Sequence, residues 1–211
     1  CATSKPAVVL VRGRAGLGKS ALVRHVTDQL RADQSVVLRA RCYERDGVPL
    51  KALDSLVDAL ARHLRQHPRP GLTDIIAALS PLFPVLQAGE GAAQARGEQR
   101  PDELDEPALV ALAQLLARLA EPRPLVLWLD DLQWGDPGSV RALQRVLAPQ
   151  PARGPAPAIL LIASYRSEDS ATSPTLHVLQ DMSLAPGVPT QVLELGPLAP
   201  DETLALAEAV L

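Results

Sequence analysis

The amino-acid sequence predicts an α/β fold in three layers, with a mostly parallel five-stranded sheet lying between helices. Strand-like and helix-like patterns alternate along most of the 211 residues, which is typical of parallel strands joined by crossover helices. Several apolar runs are continuous, as expected of parallel strands that are buried on both faces. The hydrophobic content of 47% is sufficient for one sizeable core, so we expect a single domain over residues 1–211.

The first strand is predicted over residues 7–11, a continuous apolar run preceded by Pro6. A glycine-rich stretch at residues 13–20 follows it, and an amphipathic helical pattern comes next. The apolar positions that recur at roughly helical spacing are Ala21, Leu22, Val26 and Leu30. This order of strand, glycine-rich turn and helix is that of a phosphate-binding loop.

The glycine-rich stretch reads GRAGLGKS, and its residue types suit phosphate binding. Gly13, Gly16 and Gly18 allow the backbone to approach a ligand and to turn successive N–H groups toward phosphate oxygens. We expect the Lys19 ammonium to contact the β- and γ-phosphates and the Ser20 hydroxyl to bind Mg²⁺. The predicted nucleotide-binding residues are Gly13, Arg14, Ala15, Gly16, Leu17, Gly18, Lys19, Ser20 and Ala21. The alternative, a flexible loop that matches by chance, is disfavoured by the flanking strand and helix.

A second strand is predicted over residues 35–42, toward an edge of the sheet where Arg39 and Arg41 reach solvent. Glu44 lies just past the end of this strand, where ligands meet open α/β sheets. It could polarise a water near the phosphates, but an ordinary solvated loop acid is the preferred interpretation.

A helix with one apolar face is predicted over residues 49–67. His63 and His67 lie four residues apart on it and could share a metal ion. The sequence places no Asp, Glu or Cys to complete such a site. We therefore interpret both as surface histidines.

Two further helices and a loop precede the third strand. The helices are predicted over residues 73–79 and 104–120, each followed by prolines that end it. Residues 87–102 contain few bulky apolar side chains and are predicted to form a flexible loop.

The third strand, residues 125–129, leads directly into two acids. An apolar strand that ends in a carboxylate fits the Walker B element, whose Asp binds the Mg²⁺ that bridges the β- and γ-phosphates. We expect Asp130 to bind the metal and Asp131 to orient or deprotonate the attacking water. Two ordinary loop acids after a core strand are the alternative, which the phosphate-binding loop upstream disfavours.

After the third strand, the sequence predicts a helix with Asp136 as its N-cap, followed by a proline-rich linker at residues 149–157. The fourth strand is predicted over residues 158–166. Arg166 ends this strand at the same sheet edge and could contact the γ-phosphate through charge-assisted hydrogen bonds. A solvent-exposed surface arginine is the alternative. The remaining predicted elements are a helix at 174–184, a strand at 191–195 and a helix at 200–211.

Composition excludes several classes of protein. The net charge of −3, with basic residues scattered along the chain, favours neither nucleic acid nor an anionic membrane as a partner. The two cysteines provide neither a disulfide framework nor a zinc site, and no run is long enough to span a membrane. We expect a cytoplasmic domain that does not bind nucleic acid directly.

Four segments together resemble the AAA-type ATPase domains of the STAND class of signalling NTPases. These domains occur in large bacterial LuxR-type regulators and in proteins fused to kinase or cyclase domains. The segments are residues 8–22, the phosphate-binding loop; 125–136, LVLWLDDLQWGD; 159–169, ILLIASYRSED; and 193–202, LELGPLAPDE. The second is the most specific, since it is far more restrictive than a bare Walker B element.

The resemblance implies a P-loop NTPase domain that binds ATP or ADP with Mg²⁺ and acts as a nucleotide-dependent switch. It assigns the phosphates to residues 13–20, the metal to Ser20 and Asp130, water to Asp131 and a sensor role to Arg166. The predicted catalytic residues are thus Lys19, Asp131 and Arg166. The expected partners are the nucleotide, flanking sensor and effector domains, and a second copy in a nucleotide-dependent assembly.

The resemblance also indicates that the chain is a fragment. Family members have an adenine-binding segment before the first strand and a helical lid after the last helix, and we expect both to lie outside this chain. Two other functions stay open. A small-molecule phosphotransferase would need an acceptor pocket and an arginine-rich lid, for which Arg96 and Arg100 are the only indication. A non-hydrolysing nucleotide-binding scaffold is possible because Asp131 is one methylene shorter than a glutamate base.

Overall fold

A computed structural model describes residues 5–31, 35–44, 49–87, 101–148, 156–181, 187–199, 201–202 and 208. Its strands are β1 (Ala7–Gly13), β2 (Val36–Arg41), β3 (Leu125–Asp130), β4 (Ile159–Arg166) and β5 (Thr190–Glu194). Its helices are α1 (Lys19–Arg31), α2 (Lys51–Gln66), α3 (Thr73–Leu79), α4 (Glu106–Leu119), α5 (Pro137–Leu147) and α6 (Pro174–Asp181). The five predicted strands are confirmed, each to within two residues at either end.

The five strands form one sheet in the order β2-β3-β4-β1-β5, and every pairing is parallel. Because all strands run the same way, their carboxyl ends lie at a single edge. The register places Gly13 of β1 opposite Arg166 of β4 and Asp130 of β3 opposite Arg41 of β2. The sheet therefore brings together residues that are far apart in the sequence. The predicted position of β2 at an edge of the sheet is also confirmed.

Helices pack on both faces of the sheet and give the predicted three layers. The larger apolar core lies under α2, α4, α5 and α6 and contains fully buried leucines such as Leu53, Leu112 and Leu127. A smaller cluster on the other face lies under α1 and includes Val23 and Trp128. Each fully buried large aliphatic side chain contributes roughly 1.5–3 kcal/mol relative to an exposed one. The stability of the sheet therefore comes mainly from the larger core.

The first helix does not bury the apolar positions that its spacing indicates. Leu22, Val26 and Leu30 are 40–41% exposed in the structure, so this prediction was wrong. The face that packs on the sheet instead carries Val23 and Thr27, at 3% and 0% exposure. These positions follow Lys19 at intervals of four, and Lys19 is itself 8% exposed. The rotation of α1 about its axis is thus the one that turns Lys19 toward the sheet edge.

Several predictions lie wholly or partly outside the described residues. They concern the loop at 87–102 with Arg96 and Arg100, the linker at 149–157, the end of the helix at 174–184 and most of the helix at 200–211. In the part of the chain that the structure describes, none of the helices has the length and apolar character needed to cross a bilayer.

Candidate functional site

The glycine-rich loop joins the end of β1 to the start of α1. Gly16 and Gly18 have φ angles of +80° and +82°, in the left-handed region that favours glycine. Gly13 is needed for a different reason, because a Cβ there would lie 2.7 Å from the carbonyl oxygen of Leu195. Residues 14–16 and Gly18 are largely exposed. The loop is thus bent as a phosphate-binding loop requires and is open to solvent.

Lys19 folds back onto this loop. Its Nζ donates hydrogen bonds to the carbonyl oxygens of Gly13, at 2.7 Å, and Arg14, at 2.8 Å. Burial lowers the pKa of Lys19, and the nearby Arg166 guanidinium acts in the same direction. The carboxylates of Glu168, Asp131 and Asp130 oppose this effect. Of the predicted catalytic residues, Asp131 and Arg166 therefore both lie within electrostatic range of Lys19.

Ser20 and Asp130 are in direct contact across 110 residues of sequence. The Ser20 hydroxyl donates a hydrogen bond of 2.8 Å to Oδ1 of Asp130, which is 7% exposed. The Ser164 hydroxyl, from β4, donates a second hydrogen bond of 2.5 Å to the same oxygen. Ser164 was not among the predicted site residues. Its signal in the sequence is a small hydroxyl residue near the end of an otherwise apolar strand.

The chemistry of these groups fits a magnesium ion. A carboxylate and a hydroxyl are hard oxygen donors, and Mg²⁺ in nucleotide sites is held by one or two such groups together with phosphates and waters. Among the described residues, no cluster of three or more His, Cys, Asp or Glu side chains could hold a metal without such help. His63 and His67 stack on each other with ring centroids 4.7 Å apart and are not part of such a cluster.

Asp131 is held on both sides of its carboxylate. Arg41 donates two hydrogen bonds to Oδ2, from Nε at 3.0 Å and Nη2 at 2.7 Å, and Gln133 donates one of 3.1 Å to Oδ1. The hydrogen bond to Asp131 also raises the pKa of Arg41. The backbone of Asp131 is left-handed, with φ at 57°, which costs on the order of 1–3 kcal/mol in a non-glycine residue. The acid predicted to orient water is therefore fixed in position by an ion pair.

The two arginines of the edge strand are not simply directed into solvent. Arg41 keeps 57% of its side chain exposed but pairs with Asp131, as described above. Arg39 forms an ion pair of 2.5 Å with Asp28 of α1 and lies over the ring of Trp128, 5.5 Å from its centroid. The sequence prediction for these two residues was therefore incomplete. Glu44, considered as a water-polarising acid, is exposed.

Arg166 lies at the end of β4 beside the loop. Its guanidinium is 6.0 Å from the ring centroid of Trp134, a cation–π contact. Its backbone N–H donates a hydrogen bond of 3.2 Å to Oε1 of Gln133, the residue that also contacts Asp131. Gln133 is 5% exposed and was not predicted to be functional. The segment LQW thus links the candidate water-orienting acid to the candidate phosphate sensor.

Asp136 joins the starts of two helices. Its Oδ1 accepts hydrogen bonds from the backbone N–H groups of Ser139, at 2.8 Å, and Leu50, at 3.1 Å. Its Oδ2 accepts from the Ser139 hydroxyl, at 2.6 Å, and from the N–H of Ala52, at 3.1 Å. The predicted cap of α5 is confirmed, and the same carboxylate also binds the start of α2. Asp136 therefore fixes the turn that follows the two acids.

Glu168 contacts the glycine-rich loop from the turn after β4. Its Oε1 accepts a hydrogen bond of 2.9 Å from the backbone N–H of Ala15. Sequence reasoning missed this contact because an exposed glutamate in a polar turn carries no distinguishing pattern.

Comparison with protein families identifies the group to which this arrangement belongs. The model described as the AAA ATPase domain matches residues 1–162. The chain belongs to the AAA ATPase domain family. Membership implies nucleotide binding, and the match covers the glycine-rich loop and the pair Asp130 and Asp131. It ends within β4, before Arg166 and Glu168.

Solved structures show the same fold. The ORC2 protein of Aeropyrum pernix, determined as ADPNP–ADP complexes, matches with a TM-score of 0.53 and 17% identity over 96% of this chain and 45% of that chain. Cdc6p of Pyrobaculum aerophilum matches with a TM-score of 0.52 and 15% identity over 98% of this chain and 43% of that chain. This chain therefore spans less than half the length of these two proteins. The comparison with curated proteins found no match.

Proposed function

We propose that this AAA ATPase domain binds ATP together with Mg²⁺, hydrolyses it slowly and serves as a nucleotide-dependent switch in a larger signalling or transcription-regulatory protein. The observation that carries the proposal is the hydrogen bond between Ser20, at the start of α1, and Asp130, at the end of β3. It places a hydroxyl and a carboxylate beside an open glycine-rich loop, which is the arrangement that Mg²⁺–nucleotide binding requires.

Each residue has a defined part in this proposal. The backbone of residues 13–21 and the Lys19 ammonium hold the phosphates, and Ser20 and Asp130 hold the metal. Mg²⁺, when bound, neutralises charge on the β- and γ-phosphates. Asp131 orients the attacking water, and Arg166 donates hydrogen bonds to the terminal phosphate.

The ion pair between Arg41 and Asp131 is the reason to expect slow hydrolysis. A guanidinium that binds a carboxylate occupies its lone pairs, so the oxygen that Arg41 contacts is less accessible to a water molecule. Asp131 must give up at least one of its hydrogen bonds from Arg41 before it can accept a proton from water. The same pairing supports the alternative of a nucleotide-binding scaffold without hydrolysis. Binding without turnover, unchanged in Asp131→Asn, would support that alternative.

The switch role rests on the resemblance of four segments to STAND-class domains and on the family shown above. In this proposal ADP favours a closed state, and exchange for ATP permits assembly with flanking domains or a second copy. This chain spans less than half the length of the two solved structures described above, and partners outside the chain are part of the proposal.

The nucleotide affinities of two variants test the proposal. Lys19→Ala removes a charge held against two phosphates, whereas Arg166→Ala removes one contact with the terminal phosphate. We expect Lys19→Ala to weaken ATP binding more than about a hundredfold and Arg166→Ala about tenfold, given roughly 1.5 kcal/mol for each charged hydrogen bond lost. Calorimetric titration of the 211-residue chain measures both. Equal ATP affinity in wild type and Lys19→Ala would contradict the assignment.

A further inference from the structure

An acidic side chain lies on the part of the loop where phosphate is expected. Glu168 belongs to the 3₁₀ turn Ser167–Ala171, which connects β4 to α6. Its carboxylate accepts the N–H of Ala15, 153 residues earlier in the chain, at 2.9 Å. In a phosphate-binding loop these backbone N–H groups are the donors for phosphate oxygens. Glu168 therefore uses a donor that a bound nucleotide would use.

Two cations of the glycine-rich loop and its helix act on the Glu168 carboxylate. The N–H of Ala15 is the largest cause that lowers the pKa of Glu168, and the Lys19 ammonium and the Arg14 guanidinium act in the same direction. In turn, Glu168 is the acid that most strongly favours the charged form of Lys19. Lys19 is the residue expected on the β- and γ-phosphates. The carboxylate thus lies within electrostatic range of the residue that is expected to bind those phosphates.

We propose that Glu168 competes with the terminal phosphate for the glycine-rich loop. The Glu168 carboxylate occupies the loop before nucleotide binds, and ATP must displace it. This inference rests on the proposed function, because it presupposes that the loop binds nucleotide. A single N–H cannot bind a carboxylate and a phosphate oxygen at full strength, and two anions that compete for one donor repel each other. Because ADP lacks the γ-phosphate, the electrostatic repulsion between ADP and the Glu168 carboxylate is weaker. Glu168 therefore lowers the affinity for ATP more than the affinity for ADP.

Displacement of Glu168 has a path to the rest of the domain. The turn that carries it continues into Ser173, whose hydroxyl donates a hydrogen bond of 2.9 Å to the backbone carbonyl oxygen of Gln133. Asp169, Thr172 and Ser173 also line a cavity of about 590 Å³ together with Trp134, whose ring contacts the Arg166 guanidinium. Movement of this turn would therefore change the shape of that cavity and the start of α6.

A charge-neutral variant tests the competition. Glu168→Gln keeps the size and the acceptor oxygen of the side chain but removes its charge, and Glu121→Gln, at an exposed position near the start of β3, is the matched control. Calorimetric titrations of the 211-residue chain with ADPNP and with ADP give the two affinities. We expect Glu168→Gln to bind ADPNP about tenfold more tightly and ADP no more than about threefold more tightly, as for loss of one close like-charge contact. Glu121→Gln should match wild type for both ligands.

The outcomes separate this inference from the function on which it rests. If the ratio of ADPNP affinity to ADP affinity is unchanged in Glu168→Gln, or if ADPNP binds more weakly, the proposal that Glu168 competes with phosphate is overturned. Nucleotide binding by wild type would still support the proposed function. If wild type shows a cooperative melting transition, and is therefore folded, but binds neither nucleotide, both the proposed function and this inference are overturned.

Discussion

At the scale of single residues, the position of Asp131 determines how the site works. Its carboxylate is shared between Arg41 and Gln133, and its backbone is held in a left-handed conformation. Such conformations persist where the surrounding structure fixes them, which here is the ion pair on one side and the LQW segment on the other. The acid is thus oriented toward the site but engaged by a cation.

Removal of Arg41 should release this acid. We expect Arg41→Ala to raise kcat for ATP hydrolysis about threefold to tenfold with little change in KM, because the carboxylate oxygen that Arg41 occupies becomes accessible to the attacking water. Arg39→Ala is the matched control, since Arg39 lies on the same strand and pairs with Asp28 instead. Steady-state ATPase measurements compare the variants.

The double variant Arg41→Ala with Asp131→Asn shows whether the effect passes through Asp131. We expect it to be as inactive as Asp131→Asn alone. A fall in kcat for Arg41→Ala would show instead that the guanidinium assists the reaction.

The sequence predicted some contacts of the site and not others, for a physical reason. The proximity of Ser20 and Asp130 follows from two motifs whose chemistry requires a shared metal ion. The pairs of Arg41 with Asp131 and of Glu168 with Ala15 depend on which strands are neighbours and on how a turn folds back. Local sequence patterns carry neither kind of information, so these partners were found only in the structure.

At the scale of elements, Asp136 holds the starts of α2 and α5 with one carboxylate. Asp136→Ala should destabilise the domain by about 2–3 kcal/mol, because it removes one helix cap and leaves further N–H groups without their acceptor. Urea unfolding of the variant and of wild type measures the change in the free energy of unfolding.

A second capping residue provides the control for this prediction. Among the described helices, Asp105 caps α4 alone, through a hydrogen bond of 3.0 Å from the N–H of Ala108. We expect Asp105→Ala to cost about 1 kcal/mol, the usual effect of a lost N-cap. Equal losses in the two variants would mean that the contacts between Asp136 and α2 contribute nothing to stability.

The orientation of α1 shows where element prediction fails. Its sequence contains one stripe with Leu22, Val26 and Leu30 and another with Val23 and Thr27, and hydrophobicity alone favours the first. The structure buries the second stripe, which also carries Lys19. The face of α1 that packs on the sheet is therefore the face that turns Lys19 toward the loop.

At the scale of the whole molecule, the strand order creates the site. The sheet places β1 beside β4 and β4 beside β3, so that the loop, Arg166 and Asp130 meet at one edge. Alternating strands and helices predicted a parallel sheet and the shared edge. They did not predict the order of the strands, which depends on long-range packing. The proposed function requires that this edge holds a Mg²⁺–nucleotide complex.

The metal dependence of ATP binding tests that claim most directly. Calorimetric titration of wild type and Asp130→Asn with ATP, in Mg²⁺ and in EDTA, gives four affinities. We expect Mg²⁺ to strengthen ATP binding by wild type about tenfold or more and to have less than about a threefold effect on Asp130→Asn, because the variant lacks the carboxylate that binds the ion. Wild-type affinity that is the same in Mg²⁺ and in EDTA, or equal metal dependence in both proteins, would contradict the account.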